Sequence, residues 1–192
     1  MVSPEEVLRF WLDEVGPDGW YKASEALDAQ IRERFASAWD NVHAGAYGLW
    51  LTYPSGTLAY IILTDQVPRN MFRGEARAYD TDRAARMAAI VAIKRGWDLR
   101  IDEPARQFFY LPLMHSENLY DQDRCVRLLC ERMPVHGADT LIHARAHREA
   151  IRRFGRFPHR NAALGRRSTA TERAFEAEGG YGTLVREVRE AA

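Results

Sequence analysis

The stretch "TLAYIILT", Thr57 to Thr64, decides the fold class. Its β-branched and aromatic residues would suit a strand. A strand needs a partner, however, and no pair of strand-like runs joined by hairpin turns occurs in the chain. Helix signals flank the stretch on both sides, so the pattern predicts a helix here too.

Upstream, "SPEEVLRFWLDE" offers Ser3 as N-cap, Pro4 at the first helical position and Glu6 to complete a capping box, with Val7, Phe10 and Trp11 as an apolar face. A longer helix is predicted from about Ser24 to Ala44, striped by Leu27, Ile31, Phe35, Ala38 and Val42 and ended by Gly45. Downstream, "YDTDRAARMAAIVAIKRG" has Asp80 or Thr81 as cap, Lys94 and Arg95 at its negative end, and Gly96 as its stop. Further helices are predicted from Glu103 to about Leu113, from a Ser116 cap to about Arg132, and from Asp139 to Phe154. Short pieces follow at Thr171 to Glu178 and Thr183 to Arg189. The expectation is a single all-α domain over residues 1–192, with about eight or nine helices in antiparallel pairs and no consensus repeat at a fixed period.

Lys+Arg and Asp+Glu balance at 27 each, which argues against a dedicated nucleic-acid binder or a polybasic membrane protein. The N-terminus carries acids where a signal peptide carries positive charge, and no apolar run is long enough to span a membrane. Cys125 and Cys130, five apart on different sides of a helix, read as two buried free thiols suited to a reducing cytoplasm. The charge balance hides an asymmetry. Between His143 and Arg167 eight arginines face one carboxylate, Glu149.

Three segments cluster polar chemistry: "DQVPRNMFRG" (Asp65 to Gly74), "FFYLPLMHSENLYDQ" (Phe108 to Gln122) and "HARAHREAIRRFGRFPHRN" (His143 to Asn161). The first and third both set Pro and Arg-Asn after a helix, with another arginine nearby. Arginine recognises carboxylate or phosphate with a planar fork, and proline fixes the backbone that presents it. Two such loops facing each other would clamp an anion; the alternative is that each Arg-Asn pair caps helix ends. In the second segment His115 and Glu117 are candidates for general acid/base work, with Glu117 and Asp121 expected on one helix face. The alternative for Glu117 is a first-turn acid stabilised by the helix dipole. His143 and His147 have the four-residue spacing of a metal pair. His147 also shares a stripe with Ile151 and Phe154, which predicts a hydrogen-bonded core imidazole and no metal. Phe154 and Phe157 should anchor the third segment, leaving Arg156, His159 and Arg160 as rigidly held charged tips. No cofactor fingerprint is present.

These three segments, together with "VLRFWLDE" near the N-terminus, resemble the bacterial "domain of unknown function 924" family, in order and over nearly the whole chain. The resemblance implies an all-α protein with a tetratricopeptide-like helical arrangement and no settled activity. The family's motifs fall on Asp65, Gln66, Pro68, Arg69, Asn70, Arg73, His115, Glu117, Asp121, Gln122, His147, Arg156, Pro158, His159, Arg160 and Asn161, and leave His143 outside. Leu12 departs from the aromatic usual after "FW". The functional expectation is a pocket for a small anionic ligand, with His115, Glu117 and His159 as acid/base groups and the remaining motif side chains, the two prolines aside, as binding groups. The alternative is a helical-repeat groove for an acidic peptide or protein. RNA binding by the basic segment is disfavoured by the neutral net charge.

Overall fold

Thr57 to Thr64 is helical throughout, in a computed structural model that describes residues 1–191 and their side chains apart from that of His43. All regular structure among the described residues is helical, and counting each uninterrupted α/π run once gives nine helices. No described helix is long and apolar enough to cross a membrane. The chain divides into two compact units, Met1–Pro112 and a second beginning at Leu113.

In the first unit, α1 (Pro4–Leu8) opens with the expected capping box and continues as a π-helical stretch, Arg9–Val15. The wider turn ends on the Trp11 carbonyl, which accepts from the Gly16 N–H and, at 2.7 Å, from the Trp20 indole. After α2 (Gly16–Gly19), α3 (Glu25–His43) starts at Ser24, whose hydroxyl accepts from the Leu27 N–H. It buries Ile31, Phe35 and Trp39.

The "TLAYIILT" helix contains α4 (Pro54–Ile61), a π stretch (Ile62–Gln66) and α5 (Val67–Met71) without a break. Pro68 explains the widening. It has no N–H, and its ring would clash with the carbonyl four residues back, which is that of Thr64. The freed Thr64 carbonyl accepts the Thr81 hydroxyl at 2.5 Å, and Thr81 Oγ1 accepts the Trp39 indole N–H at 3.2 Å. Thr81 therefore precedes α6 (Asp82–Lys94) without capping it through its side chain, contrary to the sequence expectation.

The helix expected from Glu103 to Leu113 is split into a 3₁₀ turn, Ala105–Phe109, and a short α7, Leu111–Met114. Phe108, Phe109 and Tyr110 are consecutive and all fully buried, which the single buried face of an amphipathic α-helix does not provide. Phe108 packs edge-on against Trp20 at 4.8 Å, and the Tyr110 hydroxyl donates to Asp98 at 2.7 Å.

In the second unit, α8 (Leu119–Arg132) and α9 (Ala138–Phe154) form a hairpin through the short connection 133–137, and α9 packs against α11 (Tyr181–Glu190). Between them α10 (Ala170–Ala177) opens with a Thr169/Glu172 capping box. The core joins Ala146, Ala150, Ile151, Phe157 and Leu184, with Phe175, Tyr181, Val185 and Val188 packed against it. Gly155, at φ +69°, ends α9 in the left-handed region and lets the chain turn so that Phe157 enters this core. The cap of α8 is Asn118 rather than Ser116, because Ser116 gives its hydroxyl to Asp121 at 2.7 Å. Both cysteines are free thiols, but only Cys125 is buried; Cys130 is exposed, since five residues turn it to the other side of α8.

All five tryptophans, at 11, 20, 39, 50 and 97, belong to the first unit. Indole emission therefore reports on that unit, while far-UV dichroism reports on every helix. The single-domain expectation predicts one thermal midpoint by both probes. Separate midpoints would make the two units independent domains.

Candidate functional site

The first polar segment is a network for satisfying backbone. Arg69 Nη1 donates to the Asp65 carbonyl at 2.8 Å, and Asn70 Nδ2 donates to the Gln66 carbonyl at 2.9 Å. With Thr81 on the Thr64 carbonyl, three successive carbonyls of the widened turn have side-chain donors. The Asp65 carboxylate, 1% exposed, takes Gln66 Nε2 at 2.6 Å and Arg69 Nη1 at 3.2 Å. Arg69 also reaches Asp82 of α6 at 2.8 Å. Burial works against the Arg69 cation, but Asp65 and Asp82 outweigh it and its pKa is raised. Arg73 closes a fork on Asp28 of α3, at 2.5 and 2.9 Å, and donates to Asn70 Oδ1 at 2.6 Å. The segment thus ties α5 to α3 and α6.

The second and third segments are both in the second unit, where they build a rigid frame. Gln122 Nε2 donates to the carbonyls of Met114 and Ser116 at 2.6 and 2.7 Å, bracketing the backbone of His115. Glu117, just before the α8 cap, accepts the Phe157 N–H at 2.8 Å and a fork from Arg166 at 2.7 and 2.9 Å. Arg166 also donates to the Phe157 carbonyl at 3.0 Å and to Asn161 Oδ1 at 2.9 Å. Both backbone groups of Phe157 are therefore held by one ion pair. Partial burial pulls the Glu117 carboxyl up, but the bonds from Arg166 and Phe157 outweigh it and the net shift is down. Glu117 and Asp121 do not share a face as expected, because Glu117 lies outside the helix. Arg156 forks onto Glu172 at 2.6 and 2.8 Å and also reaches the Arg167 carbonyl. This fork holds the Glu172 carboxyl down at about 2.

Within this frame His147, His159 and Arg160 meet the Phe157 ring, with His115 and Tyr181 beside His147 and His143 against Tyr181. His147 packs edge-on to the Phe157 ring at 5.3 Å, His159 lies 5.7 Å away on it, and the Arg160 guanidinium carbon is 4.5 Å from its centroid. His115 is 6.2 Å from His147, centroid to centroid. Nδ1 of His147 lies 2.9 Å from the His143 carbonyl oxygen. A carbonyl can only accept, so Nδ1 carries the proton and Nε2 the lone pair. The Tyr181 hydroxyl lies 3.0 Å from that same Nδ1 and 2.7 Å from His143 Nδ1. His143 Nε2 faces Asp139 at 3.6 Å.

The electrostatics favour the neutral forms of His143, His147 and His159. Burial, then the neighbouring His115 and Arg160, push the His147 pKa well below the ordinary imidazole value. Desolvation first and the Arg160 charge second bring His159 to about 4. Burial lowers His143 and raises the Tyr181 phenol.

The structure thus gathers His115, Glu117, Asp121, Gln122, His147, Arg156, His159, Arg160 and Asn161 in the second unit, while Asp65, Gln66, Arg69, Asn70 and Arg73 belong to the first. Tyr181 and Arg166 were not legible as partners of the motifs, since they lie 34 and 49 residues from His147 and Glu117. Glu172 carried one signal, its capping-box spacing from Thr169, but nothing in the sequence joined it to Arg156. No cluster of three metal-ligating side chains occurs among the described residues.

A sequence model of the family described as "Bacterial protein of unknown function (DUF924)" matches residues 7–180. The chain is also similar to a solved structure, that of a protein of unknown function, ATU0120, from Agrobacterium tumefaciens. The two are 40% identical with a TM-score of 0.84, over 91% of this chain and 97% of that one. No curated protein matches.

Two outcomes follow from this geometry. Arg69→Met removes the cation beside a buried carboxylate and should cost about 3–5 kcal/mol in urea unfolding, with part recovered in Arg69→Met/Asp65→Leu. A change near zero would remove Arg69 from the structural network. Second, three histidines with lowered pKa values bind protons less readily folded than unfolded. Their contribution is fully present above about pH 6.5 and is lost as pH falls. The melting midpoint should therefore decline between pH 7.5 and 5.5, above the carboxylate range, and decline less in His159→Gln. A flat profile over that interval would contradict the shifts.

Proposed function

We propose, for a chain that belongs to the bacterial family of unknown function DUF924, that the second unit binds a small anionic molecule at Arg160 and the imidazoles of His115, His147 and His159. The observation that carries this reading is the convergence of His147, His159 and Arg160 on the single ring of Phe157. The guanidinium supplies fixed positive charge, and the fixed tautomer of His147 presents one defined nitrogen. The frame of Gln122, Glu117 and Arg166 holds the group in place before a ligand arrives. Glu117 is kept ionised by Arg166, so acid/base chemistry on the bound molecule falls to His115 and His159. A tetratricopeptide-like stacking of helix pairs and a cytoplasmic setting belong to the same proposal; the free thiols support the latter.

An anion beside His147 and His159, whose pKa values are lowered, favours their charged forms, so binding takes up protons. Thermal shift with inorganic phosphate, citrate and adenosine monophosphate should identify at least one stabilising anion, more effective at pH 6 than at pH 8. At a hundred times its dissociation constant that anion should add about 2.7 kcal/mol. Calorimetry in two buffers of different ionisation enthalpy should register the proton uptake. Arg160→Met keeps an apolar stem over Phe157 and should remove the ligand-induced shift while the helical dichroism persists. An undiminished shift in Arg160→Met, or binding that does not vary with pH, would refute the site.

A further inference from the structure

Helix α6 of the first unit presents an apolar groove that the polar segments do not use. Met87 and Val91, one turn apart, are 49% and 41% exposed. They form the lip of a cavity of about 290 Å³ walled by Leu51, Thr57, Tyr60 and Trp97. Ala84 and Ala88 line it too, and their small side chains give the groove its depth. Large side chains on an exposed helix face beside a ready-made hollow are an unusual use of apolar surface.

The exposed charges on α6 and in the turn that follows it, through Arg100, are all basic. Arg83, Met87, Val91 and Lys94 follow the spacing of one helix face, so exposed Arg83 and Lys94 stand at its two ends, about 16 Å apart along the axis. The Arg95 guanidinium stacks on the Trp97 ring at 4.7 Å, and exposed Arg100 follows in the next turn. Neighbouring carboxylates are engaged within the unit: Asp82 with Arg69 and Asp98 with Tyr110. Asp80 lies before the first turn of α6.

We propose that this groove docks an acidic amphipathic helix of a partner protein. Apolar residues one turn apart on the partner insert between Met87, Val91 and Trp97, and carboxylates three turns apart meet Arg83 and Lys94. Helix-in-groove recognition supplies the apolar anchors. The basic rim selects the sign of the partner and its register. A second copy of this chain is the competing occupant, and its formal net charge of zero gives no overall attraction to the basic rim.

The test uses the full chain and two synthetic helical peptides with identical leucine stripes, one flanked by glutamates and the other by lysines. Methyl and indole NMR should show shifts at Met87, Val91 and Trp97 with the glutamate peptide and none with the lysine peptide. Met87→Lys, at an exposed position, should weaken binding at least about tenfold, the loss expected on removing a central anchor. Arg83→Glu/Lys94→Glu should reverse the preference between the peptides, with the melting midpoint of each variant confirming that it is folded. Equal binding of both peptides, or shifts that bypass these three residues, would overturn the proposal. So would sedimentation showing concentration-dependent self-association abolished by Met87→Lys, which would assign the groove to a second copy.

Discussion

Irregular backbone cannot be buried without partners for its polar groups, and this constraint explains the density of Arg, Asn, Gln and Glu in the three segments. In the first unit Pro68 removes the helical donor of the Thr64 carbonyl and Thr81 replaces it, while Arg69 and Asn70 add side-chain donors to the next two carbonyls. In the second unit the chain must leave α9 and carry Phe157 into the core. Glu117 and Arg166 take its N–H and carbonyl, and Gln122 does the same for the carbonyls beside His115. Each residue would read as a binding group from its type alone. Its partners show that it first satisfies peptide groups.

The helical fold was readable because its evidence is local. The Ser3 capping box, the Ser24 cap and the stop at Gly96 need only neighbours in sequence, and all three occur as expected. The misreadings share one cause. Ser116 and Thr81 are good caps by type, but each spends its hydroxyl on a group elsewhere in its unit, Asp121 and the Thr64 carbonyl respectively. The Glu103 to Leu113 helix fails because three adjacent aromatics must all be buried, a demand set by the core and not by the period of the segment. Sequence identifies the residues able to cap or turn; tertiary partners decide which of them do so.

The candidate site was legible in part for the same reason. His115, His147, His159 and Arg160 stood out as polar residues set among apolar ones, and they do gather around Phe157. Tyr181 and Arg166 escaped notice because a tyrosine in a short terminal helix and an arginine in a basic run have many ordinary roles. Only their distances reveal that the first lies within bonding distance of Nδ1 of two histidines and the second holds a carboxylate.

The two groups in the second unit differ in what they do for stability, and this separates frame from site. The Glu117–Arg166 pair satisfies peptide groups, and its carboxyl is held ionised, so folding is strengthened by it near neutrality. The imidazoles around Phe157 are held neutral against their ordinary tendency, beside a guanidinium that raises the cost of charging them. Below their ordinary pKa they weaken the fold, and an apolar side chain could fill the same space without that cost. A partly exposed cluster that sets oriented nitrogens beside a buried guanidinium is the arrangement the proposed anion site requires. Under the proposed reading, an anion at Arg160 would reverse the sign of the local field and make imidazolium favourable, and the feature that costs stability would become a source of affinity.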